Sequence, residues 1–317
     1  MTSTNSTTFS WPAYPANETE FENLMQAMDT NLEQKGLKPF QRPIHIGLLL
    51  WEALKWEGLM LPPKELAGKP EFTGDTLMAK AHRWYEQVYG EKLKSDWAIG
   101  YVPVKIANGL WKVRLPVMYG TCNFFIDKNL SNRGNTGVQK TGQSSINLLC
   151  LVEDLPAGLV ERLPDSEISK FFDMYVFAFN TLSWRENLKG HIFFDEAYND
   201  YSSSTDELLK QHFAQSRWAS AQAVEKTLKG LLALGNKPFP KGNDGHDLVK
   251  LGVIIKNELG VGIDANVLAL AMCSPKVRYG EEPSNSEQAL FANHATLEVL
   301  SQLSKSKAIE NLLTANP

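Results

Sequence analysis

The sequence predicts an α+β domain with a small, mostly antiparallel sheet, followed by an all-α bundle of four or five helices. Three observations carry that expectation. Apolar residues recur at three- and four-residue spacing through much of 17–89 and again through 204–303, where short breaks rich in Gly, Pro and Asp separate the runs. Between them the period drops to near two, over Tyr101–Ile106 and Leu110–Leu115, on either side of Asn108-Gly109. Finally, 317 residues exceed the usual size of one domain.

Taken in order, residues 1–16 are expected to be a disordered tail, with Trp11-Pro12-Ala13-Tyr14-Pro15 as a tether to the folded body. A helix over Asn17–Leu37 follows from Phe21, Leu24, Met25, Met28 and Leu32, with Gly36 at its end. A second starts at Pro43 and carries Ile44, Leu48, Trp51 and Leu54 as its apolar positions; a third covers Thr76–Tyr89. The Asn-Gly hairpin comes next, and Cys122–Ile126 and Ile146–Val152 are further strand candidates. A helix over Asp165–Ser183 closes an α+β domain of 17–183, and 184–203 is expected to be a linker.

The bundle of 204–317 begins with a long helix from Thr205 to Leu234, ended by Gly235-Asn236-Lys237-Pro238. A second opens at Asn243 or Asp244 and presents Leu248, Leu251, Ile255 and Leu259. A short third follows Asp264. The fourth spans Ser284–Ser304, where Ser284 with Glu287 three residues on spells a capping box, and Leu290, His294, Leu297 and Leu300 form its stripe.

Composition narrows the function classes. Residues 1–203 carry 20 basic and 24 acidic side chains and 204–317 carry 12 of each, so neither part has the cationic excess that drives non-specific nucleic-acid binding. Cys122, Cys150 and Cys273 are odd in number and far apart, which predicts core thiols in place of a disulfide framework or zinc site. No run approaches the ~18 consecutive apolar residues of a membrane span, and the Ser/Thr/Asn-rich start lacks a secretory pattern. A cytoplasmic protein without metal or organic cofactor is expected.

Three stretches of the bundle carry a family resemblance: Ser220–Lys229 on the long helix, Gly245-His246-Asp247-Leu248, and Val277-Arg278-Tyr279. The last third of the chain is similar to the HEPN domain, a helical bundle of prokaryotic nucleic-acid-related and defence proteins. The resemblance implies a homodimer formed through the bundle and an association with RNA or nucleotide. HEPN ribonucleases place a His after an Arg with four to six residues between them; the matching Arg is Arg278, but Pro283, Ser284 and Asn285 occupy the His positions. The expectation is therefore a binding or dimerisation module of a defence or stress system that does not cleave. One alternative is a metal-independent endoribonuclease or toxin using Arg278 and Tyr279 with His246 or His294. Another is a ligand-binding N-terminal domain, the bundle serving only to dimerise it.

Each candidate has a plainer reading beside it. His294 lies on an apolar stripe, as a core histidine would; His246-Asp247 starts a helix, where an acidic group complements the dipole. Arg278 suits phosphate binding, or an ion pair with Glu281 or Glu282. The Gly-rich stretch 134–142 lacks the Gly-Lys-Ser/Thr of a phosphate loop, which leaves Arg133 and Lys140 as anion-contacting candidates on a loop between strands. The spacing Arg185-x5-His191 also occurs, but about 0.45 such matches arise by chance in a chain of this composition.

Overall fold

Helix α1 (Glu18–Gln34) starts where the Asn17 side chain accepts the Glu20 amide at 2.9 Å. It packs with α2 (Arg42–Leu54) and α3 (Gly74–Tyr89) around fully buried Leu24, Met25, Met28, Ile46, Leu50, Leu77, Met78 and Tyr85. Arg42 ties the three helices together: it donates to Asp29 at 2.9 Å and Glu33 at 3.2 Å on α1, and to the Tyr89 hydroxyl at 2.8 Å on α3. The computed structural model describes residues 8–93, 98–118, 120–135, 143–188, 191–240 and 242–315. Within them Phe9, Trp11 and Tyr14 pack on this core, so the tether realises a contact inside the stretch expected to be disordered. The buried face of α2 is not the expected one. Ile46, Leu49 and Leu50 point inward, while Ile44, Leu48 and Trp51 face outward, because this helix is apolar on nearly every side and periodicity alone selects no face.

The first compact unit ends at Asp96 and the second runs from Trp97 to Pro317, which moves the boundary from the expected 184–203. The physical reason is a shared core. Val102, Leu115 and Leu149 from the β region lie in one buried cluster with Tyr175, Val224, Leu228 and Leu297 from the helices. Strands β1 (Ala98–Ile106) and β2 (Gly109–Pro116) form the antiparallel hairpin, turning at Ala107-Asn108 with Ala107 at φ 51°. Strand β3 (Cys122–Phe125) pairs parallel with β5 (Ser144–Asn147), and β4 (Gly134–Asn135) pairs antiparallel with β5. Two of the three strand pairings are antiparallel, as the mostly antiparallel expectation has it; Leu148–Leu151 is a 3-10 turn and not strand.

After a short α4 (Ala157–Val160), α5 (Asp165–Arg185) runs past the expected helix end. The segment expected to be a linker forms most of α6 (Ile192–Leu209), separated from α7 (Phe213–Leu234) by a tight reversal in which Gln211 takes φ 65°. The single long helix expected there is therefore two. They run antiparallel: Ser204 meets Ser216, while a Cβ on Gly230 would sit 2.7 Å from the Phe194 ring. Next come α8 (Leu248–Leu259), α9 (Ala265–Ala271), a single turn α10 (Pro275–Arg278), α11 (Ser286–Ser304) and α12 (Lys307–Ala315). The capping box at α11 uses Asn285 and Gln288, one residue beyond the expected pair.

The outer edge of β1 is covered by side chains. Tyr198 and Tyr201 of α6 donate to the Ile99 and Tyr101 carbonyls at 3.1 and 2.9 Å, and His294 of α11 donates to the Pro103 carbonyl at 2.8 Å. These are alternate residues on one edge, which would otherwise offer a template for strand pairing. Among the described residues no helix is long and apolar enough to cross a membrane.

Candidate functional site

One face of α7 presents Trp218, Gln222 and Glu225 at helical spacing, and they line a groove of about 460 Å³. The opposite wall comes from two places. The 3-10 turn Gly242–His246 delivers His246, and the turn between α9 and α10 delivers Met272, Cys273 and Ser274. Gly245 is required in the first of these turns, since a Cβ there would lie 2.4 Å from the Pro240 carbonyl oxygen.

Glu225 organises the His246 end. Its carboxylate is almost wholly buried; it accepts from Lys229 Nζ at 2.7 Å through Oε1 and from His246 Nδ1 at 2.9 Å through Oε2. A buried carboxylate with two charge-assisted partners is held in one orientation. It orients the imidazole by accepting from Nδ1. Asp247, next in sequence, caps α8 by accepting the Lys250 amide at 3.0 Å.

Beside Trp218, at the rim of the groove, the surface is cationic and aromatic. The Arg278 guanidinium lies 4.5 Å over the Trp218 ring and 5.9 Å from the Tyr279 ring, and Tyr279 is largely exposed. Neither Glu281 nor Glu282 pairs with Arg278 among the described residues; Glu282 instead accepts from the Ser274 hydroxyl at 3.3 Å. Arg217 lies close enough to Cys273 to favour its thiolate, and its buried Nε has no partner. Burial outweighs that influence and pushes the Cys273 thiol above its ordinary range, so it stays protonated at neutral pH. All three cysteines are free and half-buried, not the core thiols expected.

Of the sequence candidates the groove itself is lined by His246; Arg278 adjoins it through its contact with the Trp218 ring, and Tyr279 lies next to Arg278. His294 is elsewhere, donating to β1. Its burial holds the imidazole pKa below the ordinary value, and it stays neutral. Arg133 is exposed beside β4, where its carbonyl accepts the Asn147 amide, and Lys140 lies outside the described residues. The Arg185–His191 spacing separates into two structural roles: Arg185 is buried against Tyr198 and pairs with Glu186, while His191 Nδ1 accepts the Phe193 amide to cap α6. Sequence reasoning missed Trp218, Glu225 and Arg217. The first two occupy positions 218 and 225, seven residues apart and so on one helix face, but nothing local says which face meets the loops.

Among the described residues no group of three or more His, Cys, Asp or Glu is placed to hold a metal ion. Compared with known family models, curated proteins and solved structures, the chain matches none.

Proposed function

We propose that the groove beside Trp218 binds a nucleotide or a single-stranded RNA segment without cleaving it, as a HEPN-like bundle that lacks the Arg-His pair. The observation that carries this reading is the Arg278–Trp218 stack. A guanidinium laid on an aromatic ring keeps its N–H edge free, and with no carboxylate partner among the described residues that edge is suited to a phosphate. Exposed Tyr279 offers a stacking face for a base, a contact worth ~1–3 kcal/mol. The His246 ring, oriented by Glu225, adds a polar contact for a ribose hydroxyl or a base edge within the groove.

The test is fluorescence anisotropy with a labelled single-stranded RNA, and calorimetry with mononucleotides. Binding that weakens about tenfold or more in Arg278→Ala and in Trp218→Ala, and that weakens with added salt, supports the reading. Failure of the wild-type protein to bind either ligand defeats it.

A second reading follows from the Glu225–His246 pair, which has the geometry of an oriented general base. It makes the protein a metal-independent endoribonuclease. RNA cut in the presence of a chelator, with cutting lost in both His246→Asn and Arg278→Ala, selects this second reading; RNA that stays bound and intact selects the first.

A further inference from the structure

Ile44, Leu48 and Trp51 form a straight stripe on α2, and they are 57, 62 and 57% exposed. Met60 borders the stripe on one side, packed so closely on Gly47 that a Cβ there would meet its sulfur at 2.4 Å; Leu61, which follows, is 82% exposed. Ile44, Leu48, Trp51 and Met60 thus leave a contiguous apolar face, each side chain more than two-fifths exposed, of the kind that marks an interaction surface. The exposed apolar residues Val253, Leu270 and Phe291 of the second unit instead belong to three different helices, α8, α9 and α11.

Lys55 Nζ lies 4.7 Å over the Trp51 ring at the C-terminal end of the stripe, and the other border also carries charge. His45 and Glu52 are seven residues apart and so flank the stripe on the same side. Neither side chain has a hydrogen-bond or ion-pair partner among the described residues.

We propose that this face is a homodimer interface, in which two copies of α2 pack antiparallel about a two-fold axis passing between Leu48 and Trp51. An isologous contact must be complementary to itself, and this one is. In an antiparallel pair each flank meets the same flank of its mate, so His45 comes within two residues, about 3 Å along the helix, of the level of the partner's Glu52, and the reciprocal pair does likewise. Leu48 then packs on the partner's Trp51, and the reciprocal contact completes the apolar centre. A parallel pair would set the charged flank against the Met60 flank, leaving both charges beside apolar groups. The interface uses first-unit residues alone, so the bundle is not what dimerises the chain.

Sedimentation velocity and light scattering on the full chain at micromolar concentration test this. Wild type is expected to be a dimer, and Leu48→Glu and Trp51→Glu to be monomers with unchanged circular dichroism, because neither side chain supports the core. His45→Glu alone and Glu52→Lys alone should each raise the dimer dissociation constant about tenfold, and the double variant should restore it. A monomeric wild type, or Leu48→Glu and Trp51→Glu proteins that remain dimers, overturns the proposal. A double variant no tighter than the singles overturns the antiparallel register.

Discussion

Asn147 has no exposed surface, and its amide group serves four backbone partners: it accepts the Asp127 and Leu149 amides at 3.1 and 3.3 Å and donates to the Asp127 and Asn132 carbonyls at 2.8 and 3.0 Å. It therefore shapes the loop between β3 and β4 from inside. Asn147→Ala should cost about 3 kcal/mol in denaturant unfolding, because several buried polar groups lose their partner at once; a cost under ~1 kcal/mol would mean that water replaces the amide. His294 supports a second prediction with a defined sign. Burial lowers its folded-state pKa below the ordinary 6.5, with the bond to Pro103 opposing in part, so the unfolded chain takes up the proton first. The stability due to neutral His294 is fully present above pH 6.5 and is lost as pH falls from there toward the folded pKa. Relative to His294→Gln, which keeps a donor for the Pro103 carbonyl, the wild type should lose up to ~1.4 kcal/mol per pH unit in that window. Parallel pH profiles of the two proteins would contradict this. The position was legible as a core histidine on an apolar stripe; its partner was not, since Pro103 lies 191 residues away.

At the scale of elements, the start of α11 separates two readings of the same text. Ser284 with Glu287 and Asn285 with Gln288 both spell a capping box, and the chain uses the second: Asn285 accepts the Gln288 amide at 2.9 Å, while the Ser284 hydroxyl is buried without a partner. Asn285→Ala should lower stability by about 1 kcal/mol and Ser284→Ala by nearly nothing, measured by thermal or denaturant unfolding. Equal effects would show that the cap is shared. The same ambiguity appears at the hairpin, where the pairing of Ile106 with Gly109 makes Ala107-Asn108 the turn and leaves Gly109 in the strand. Helices with one apolar face, such as α1, α3 and α5, were legible to within a few residues. Helix α2 was not, because its inward and outward residues are equally apolar, and only its neighbours decide which of them are covered.

At the scale of the molecule, the division of the chain is what local pattern could not supply. The change of period from strand to helix suggested a boundary near 184–203, where each kind of structure would keep its own core. The second unit instead mixes them: Tyr198 and Tyr201 bond to β1, and buried Val224, Leu228 and Leu297 share a cluster with Val102, Leu115 and Leu149. Within the helices, Asn293 of α11 donates to Ser204 and Thr205 of α6 at 3.1 and 3.2 Å, and a cut at 204 would remove the turns of α6 that precede them. A fragment of 204–317 would therefore expose the apolar faces that α7 buries against α6 and that α11 buries against α5 and β1, and it should aggregate or bind a hydrophobic dye without a cooperative melt. A fragment of 97–317 keeps the cluster whole and should melt cooperatively, as should 1–96, whose three helices enclose their own core. If 204–317 alone gives a sharp transition and retains binding to RNA, the bundle is an independent domain after all, and its groove needs nothing from the strands that precede it.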